Sequence, residues 1–175
     1  MNLKYNFESL EAYGLDRIFT LGLKHSFENV KRVYLDELNV SGISGFLKLI
    51  DYTKKIIKPL IGDEFFICFV SQSDKVFSKS CKRQLSMLTF LGLKKPSEIY
   101  MKDIFLEEEE RFMRYLFFLD SLSSLETYIW GALASEYEGV NITPYIAGDI
   151  FIISQDLRYV INIYDDRGLD ILKLY

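Results

Sequence analysis

The residues best suited to chemistry form a short charged run near the C-terminus, Asp165-Asp166-Arg167, followed by Gly168. Two adjacent carboxylates can share a proton or hold Mg²⁺ through water, and an arginine beside them can bind an anion. The same run is typical of a tight hairpin turn, in which an aspartate caps backbone amides and the glycine takes a positive φ. From the sequence, the run is therefore either a ligand site or a turn.

A second charged run, at positions 107–110, consists of four glutamates and precedes Arg111. Such a run offers negative charge to a basic protein partner, because opposite charges steer two proteins together. A solvated loop or the start of a helix also explains it, since acids are favoured near a helix N-terminus. The candidate partner-binding residues are Glu107, Glu108, Glu109, Glu110, Asp165, Asp166 and Arg167.

The stretch 75–95 contains basic residues and no acid, and it is the candidate segment for contact with nucleic-acid phosphates. The chain as a whole carries a net charge of −4, so we do not expect nucleic acid to be the main partner. Within this stretch Cys81 is next to Lys82 and Arg83, which lower a thiol pKa, but His25 is its sole candidate base.

Motifs that would identify an enzyme are missing from the sequence. One histidine excludes a multi-histidine metal site. The sequence has no glycine-rich phosphate loop, CxxC pair, GxSxG elbow or HExxH helix. We therefore predict no catalytic residue, no metal ligands and no cofactor.

The composition is that of a folded domain, with 49% hydrophobic and 26% charged residues in 175. This length fits a single domain over residues 1–175. No apolar stretch approaches the roughly 18 residues of a membrane span, so we expect no membrane association. The chain has two cysteines and no apolar signal core near its start, which favours a cytoplasmic protein.

Two segments have the periodicity of helices. The first spans 43–60, and the second begins at Ser123, where Ser123 and Glu126 match a capping box, and runs to about Tyr137. The residues of the first helix that fall on one apolar stripe are Ile43, Phe46, Leu47, Ile50, Ile57 and Leu60.

Strand character is found along the rest of the chain. The segments are 16–23, 65–70, 112–119, 150–153, 158–164 and 169–174. Short turn segments separate the last three strands, which is typical of antiparallel hairpins. Cys68 lies within 65–70 and is expected to be a buried small hydrophobe. The order of elements predicts an α+β fold, with a largely antiparallel sheet and two main helices packed on one face.

The C-terminal strands also carry a resemblance. Residues 159–171, Tyr-Val-Ile-Asn-Ile-Tyr-Asp-Asp-Arg-Gly-Leu-Asp-Ile, resemble the closing signature of the bacterial family called domain of unknown function 3885. In that family a strand runs into a Tyr-Asp-Asp-Arg-Gly turn and one more apolar strand. Looser similarity covers 17–22, 63–67 and 114–120. The resemblance implies a single bacterial α+β domain and a shared turn at 165–168, but no activity.

Three functions compete. The leading hypothesis is a protein-binding module, most concretely an immunity or antitoxin protein that neutralises a basic toxin such as a nuclease by occluding its active site. The alternative is an enzyme that binds a metal or phosphate ligand at Asp165, Asp166 and Arg167. A nucleic-acid or phage-related accessory protein using the stretch 75–95 is the third. The sequence makes no prediction of oligomeric state.

Overall fold

The computed structural model describes most of the chain. The described residues are 2–14, 23, 27–73, 86, 88–107, 110–134, 137, 142, 146, 149–165 and 167–175, apart from the side chain of Asp165. The strand predicted at 16–23 lies outside these residues except for Leu23, which is buried.

Seven strands form one sheet in the order β1-β7-β6-β5-β2-β4-β3, and every neighbouring pair is antiparallel. The strands are β1 (Val30–Tyr34), β2 (Glu64–Ser73), β3 (Tyr100–Leu106), β4 (Arg111–Ser121), β5 (Asp149–Ser154), β6 (Tyr159–Asp165) and β7 (Gly168–Lys173). The five predicted strand segments after residue 60 are confirmed. The sequence prediction missed β1 and β3, the two edge strands, because both interrupt a short apolar run with charged residues.

Three α-helices with both ends among the described residues pack on the sheet: α1 (Leu3–Glu11), α2 (Gly42–Ile61) and α3 (Leu125–Leu133). The α+β class is confirmed, and α2 and α3 share the core of one face, here named the two-helix face. The sequence prediction did not include α1, which packs on the opposite, one-helix face. Buried aromatic and aliphatic residues fill both layers, so the central strands are apolar on both sides.

The buried stripe of α2 is rotated from the one that the sequence predicts. Ile43 and Leu47, expected to face inward, are 65% and 52% exposed. The buried stripe instead includes Gly45 and Thr53, which a count of apolar residues passes over. Gly45 lies so close to Tyr137 that an added Cβ would be 2.9 Å from the tyrosine hydroxyl. A small residue at this close contact therefore decides which face of α2 is buried.

The capping box predicted for α3 is wrong. This helix begins at Leu125 after a 3₁₀ turn over Leu122–Ser124, and it ends at Leu133 rather than near Tyr137. The Glu126 carboxylate forms an ion pair with Lys54 on α2 instead of turning back to a backbone amide.

Asp120, the penultimate residue of β4, organises the connection to α3. Its carboxylate accepts hydrogen bonds from the Ser121 amide at 2.7 Å, the Ser124 hydroxyl at 3.0 Å and the buried Tyr128 hydroxyl at 2.5 Å. Burial, together with this hydrogen bond to Asp120, raises the pKa of Tyr128 above its ordinary value. Among the described residues no side chain caps the start of α3, and Asp120 instead ties the end of β4 to the side chains of Ser124 and Tyr128.

Candidate functional site

The described residues of the two charged runs lie at the same end of the sheet, between β3 and β4 and between β6 and β7. Ser73 at the end of β2 pairs with Phe112 beside the β3–β4 turn, and Val70 pairs with Asp149 at the start of β5. Strand β6 is antiparallel to β5, so β6 ends beside the start of β5. The β6–β7 turn therefore lies at this same end of the sheet. Four strand spacings of about 4.8 Å separate the two turns, which places them roughly 19 Å apart.

Glu107 and Glu110 occupy the β3–β4 turn rather than the start of a helix. Both are exposed, and neither carboxylate has an ion-pair partner among the described residues. Glu110 has a φ of 51°, the left-handed conformation of a tight turn. Glu108 and Glu109 lie outside the described residues.

Exposed apolar side chains lie next to this acidic turn. Met101 and Phe105 on β3 are 47% and 49% exposed, and the Phe105 ring packs 4.7 Å, centroid to centroid, from that of Phe112. They point to the two-helix face, on which α2 and α3 contact β5 and β6. The sequence analysis missed both residues. The signal that could have revealed an edge strand is the charged pair Lys102-Asp103 inside an apolar run.

The second turn, between β6 and β7, is attached to the neighbouring edge strand. Arg167 is exposed, and its carbonyl accepts a hydrogen bond of 2.8 Å from the amide of Leu35. Asp165 ends β6, its side chain is not described, and Asp166 lies outside the described residues. The structure therefore brings the two turns to one end of the sheet without bringing them into contact.

Gly168 does not have the positive φ that the sequence predicted. It is needed for space, since an added Cβ would overlap the Tyr164 hydroxyl and lie 2.8 Å from the Val33 carbonyl oxygen. A bulge in β6 between Ile163 and Asp165 accompanies this close approach of Tyr164. Close packing against β1 thus accounts for the glycine in the turn motif.

An ion pair beneath the same turn joins β1 to β7. The Arg32 guanidinium donates two hydrogen bonds, of 2.7 and 2.8 Å, to the Asp170 carboxylate, which is almost fully buried. Arg32 also lies 4.8 Å from the centroid of the Tyr164 ring. The hydrogen bond to Asp170 raises the pKa of Arg32 above its ordinary value, so the guanidinium keeps its charge.

The described residues offer limited means for catalysis. No group of three histidine, cysteine or acidic side chains that could hold a metal occurs among them. Burial raises the pKa of the Cys68 thiol, as expected of a small hydrophobe in the core. Desolvation raises the pKa of Asp149, which starts β5 between the two turns. Cys81 and His25 lie outside the described part of the chain.

We expect Gly168→Ala to lower the free energy of unfolding by roughly 1–3 kcal/mol, because the new methyl group must displace Tyr164 or the β1 backbone. Urea unfolding followed by circular dichroism measures the change. Lys173→Ala, at an exposed position of the same strand, is the matched control and should change stability little. Equal stability of the two variants would contradict the packing role of Gly168.

These features define a small α+β domain with charged hairpin turns at one end of an antiparallel sheet. The family model described as Domain of unknown function (DUF3885) matches residues 7–173, and the chain belongs to that family. This confirms the family that the sequence resemblance indicated. No curated protein matches the chain, and no solved structure does. Within the described residues, no helix is both long and apolar enough to cross a membrane.

Proposed function

We propose that this chain is a protein-binding module, an immunity or antitoxin protein that neutralises a basic toxin such as a nuclease. The observation that supports the proposal is the acidic β3–β4 turn beside exposed apolar side chains. Glu107 and Glu110 supply negative charge, and Met101 and Phe105 supply apolar surface next to it. Apolar anchors contribute most of the affinity of protein interfaces, whereas charge speeds encounter and selects the partner.

Electrostatics favours a basic partner over an acidic or neutral one. The chain carries a net charge of −4, and neither Glu107 nor Glu110 forms an ion pair with a cation among the described residues. Such a surface attracts a cationic active-site cleft, and the domain would then block that cleft sterically. The proposed complex is weakened by salt, because exposed charges are screened beyond about 8 Å at physiological ionic strength.

The second turn can reach the same partner. A standard interface of about 800 Å² on each partner is roughly 30 Å across, which exceeds the separation of the two turns. Exposed Arg167, together with Asp165 and Asp166, therefore stays in the proposed contact surface, at the opposite side of it from Glu107 to Glu110.

The test is purification of the tagged chain from its native host at low salt, followed by identification of a partner present at a stoichiometric ratio. We expect a basic protein, and we expect the Glu107→Lys/Glu110→Lys variant to bind it at least about tenfold more weakly. The matched control is Asp63→Lys/Glu98→Lys, which makes the same charge change at exposed positions before β2 and β3.

Binding constants measured at two salt concentrations distinguish the outcomes. Weaker binding in the turn variant alone, with a salt-sensitive wild-type complex, supports the proposal. Equal binding of wild type and turn variant would remove the acidic turn from the interface, and an acidic partner would contradict the proposed function itself.

A further inference from the structure

Strand β3 ends the sheet, and among the described residues no strand lies on its outer side. Apart from pairing with β4, none of the β3 residues makes a backbone hydrogen bond within the described part of the chain. Alternate amide and carbonyl groups of an edge strand point outward and can pair with another chain. The exposed seven-residue edge is therefore long enough to receive an extended peptide.

Charged residues that usually guard such an edge are engaged within the molecule. Lys102 forms an ion pair with Glu11 of α1 on the one-helix face. Asp103 accepts two hydrogen bonds, of 2.6 and 2.5 Å, from the largely buried Arg114 guanidinium on the two-helix face. Both charges are thus neutralised by neighbours, so they oppose an added strand less than free charges would.

The opposite edge of the sheet, strand β1, differs from β3 in its length and in the state of its charged residues. Strand β1 has five residues and presents the exposed Lys31 beside its central residue, Arg32, which is held by Asp170. A short strand with an exposed lysine is a protected edge. The two edges of the sheet are therefore not equivalent, and β3 is the one open to pairing.

We propose that β3 receives an extended segment of the basic partner as an additional antiparallel strand. On the two-helix face its side chains would contact Met101 and Phe105, and a lysine or arginine at the end of the segment would pair with Glu107. The inference rests on the proposed function, because it states how the basic partner binds beside the acidic turn.

Charge complementarity favours such a segment over a second copy of this chain. Each copy of this chain carries a net charge of −4, so two copies repel each other as they approach. A basic segment is attracted instead.

The experiment uses a displayed library of random peptides about nine residues long, selected on the folded full-length chain. We expect selected peptides to alternate apolar residues and to carry lysine or arginine at one end. Amide hydrogen exchange, measured by NMR on the ¹⁵N-labelled protein, should slow roughly tenfold or more at alternate β3 residues when a selected peptide binds. N-methylation of alternate peptide amides should weaken binding roughly tenfold, because it removes main-chain hydrogen bonds.

Several results separate this inference from the proposed function. Basic peptides that require Glu107 and Glu110 but leave β3 exchange unchanged would overturn strand addition and leave an acid-dependent partner in place. Slower β3 exchange without any preference for basic peptides would support strand addition and contradict the basic partner. Failure to select any peptide would overturn strand addition. Amide exchange at β3 that slows as the protein concentration rises, without peptide, would also overturn it. That result would show that a second copy of the chain pairs with this edge.

Discussion

Replacing Arg32 with alanine is expected to lower the free energy of unfolding by roughly 3–5 kcal/mol, as is typical when one partner of a buried ion pair is removed. The Asp170 side chain is 3% exposed, and Arg32 is its bidentate partner. Without the guanidinium, a carboxylate stays buried with no countercharge. Natural domains are stable by only about 5–15 kcal/mol, so the loss should be visible in urea unfolding as a large fall in the midpoint.

Further variants test whether the lost ion pair causes the fall in stability of Arg32→Ala. Arg32→Lys keeps the charge but loses the forked geometry, and it should be intermediate. Lys31→Ala, next to Arg32 and exposed, is the matched control and should be nearly neutral. The double variant Arg32→Met/Asp170→Leu should recover much of the stability, because no charge is left buried. A double variant as unstable as Arg32→Ala would mean that the pair is not the source of the loss.

Truncating Phe117 to alanine is expected to destabilise the fold by roughly 3–5 kcal/mol, the usual range for a buried aromatic residue. Phe117 is fully buried on the one-helix face. Its ring stacks on Phe66 at 4.8 Å and meets the edge of Phe7 on α1 at 5.4 Å between centroids. The cavity would therefore loosen both the central sheet and the attachment of α1.

The matched control for this truncation is Phe105→Ala, at an exposed aromatic residue of the adjacent strand. It loses one ring contact with Phe112 and should cost about 1 kcal/mol or less. The same variant should bind the proposed partner more weakly than wild type, since Phe105 is a proposed anchor. A Phe117→Ala chain as stable as Phe105→Ala would show that α1 is not anchored by this cluster.

Much of the fold could be predicted from the sequence because its pattern is local. Apolar runs of strand length predicted β2, β4 and the three C-terminal strands, and three- to four-residue periodicity predicted α2. The errors came from small or charged residues whose role depends on distant neighbours. Gly45 is buried in close contact with Tyr137, and the Asp120 carboxylate binds Tyr128 at the connection where a capping box was expected.

Of the candidate site, the sequence predicted the charge but not the location in the fold. The acidic run at 107–110 and the turn at 165–168 are visible as residue types in the sequence, and the structure places both in hairpin turns at one end of the sheet. Their shared location follows from the strand order, which no local pattern reveals. The exposed Met101 and Phe105 were missed because their exposure depends on where the helices lie, not on β3 itself.

By itself, then, the sequence determined the class of the fold, most of its strands and the acidic character of its turns. These properties depend on residues a few positions apart, where backbone geometry alone sets the spacing. The tertiary structure decided which edge of the sheet is open, why Gly168 must be small and that Arg32 neutralises Asp170, a residue 138 positions away. Those outcomes depend on which distant surfaces meet, because close packing leaves room for one arrangement of side chains at each contact.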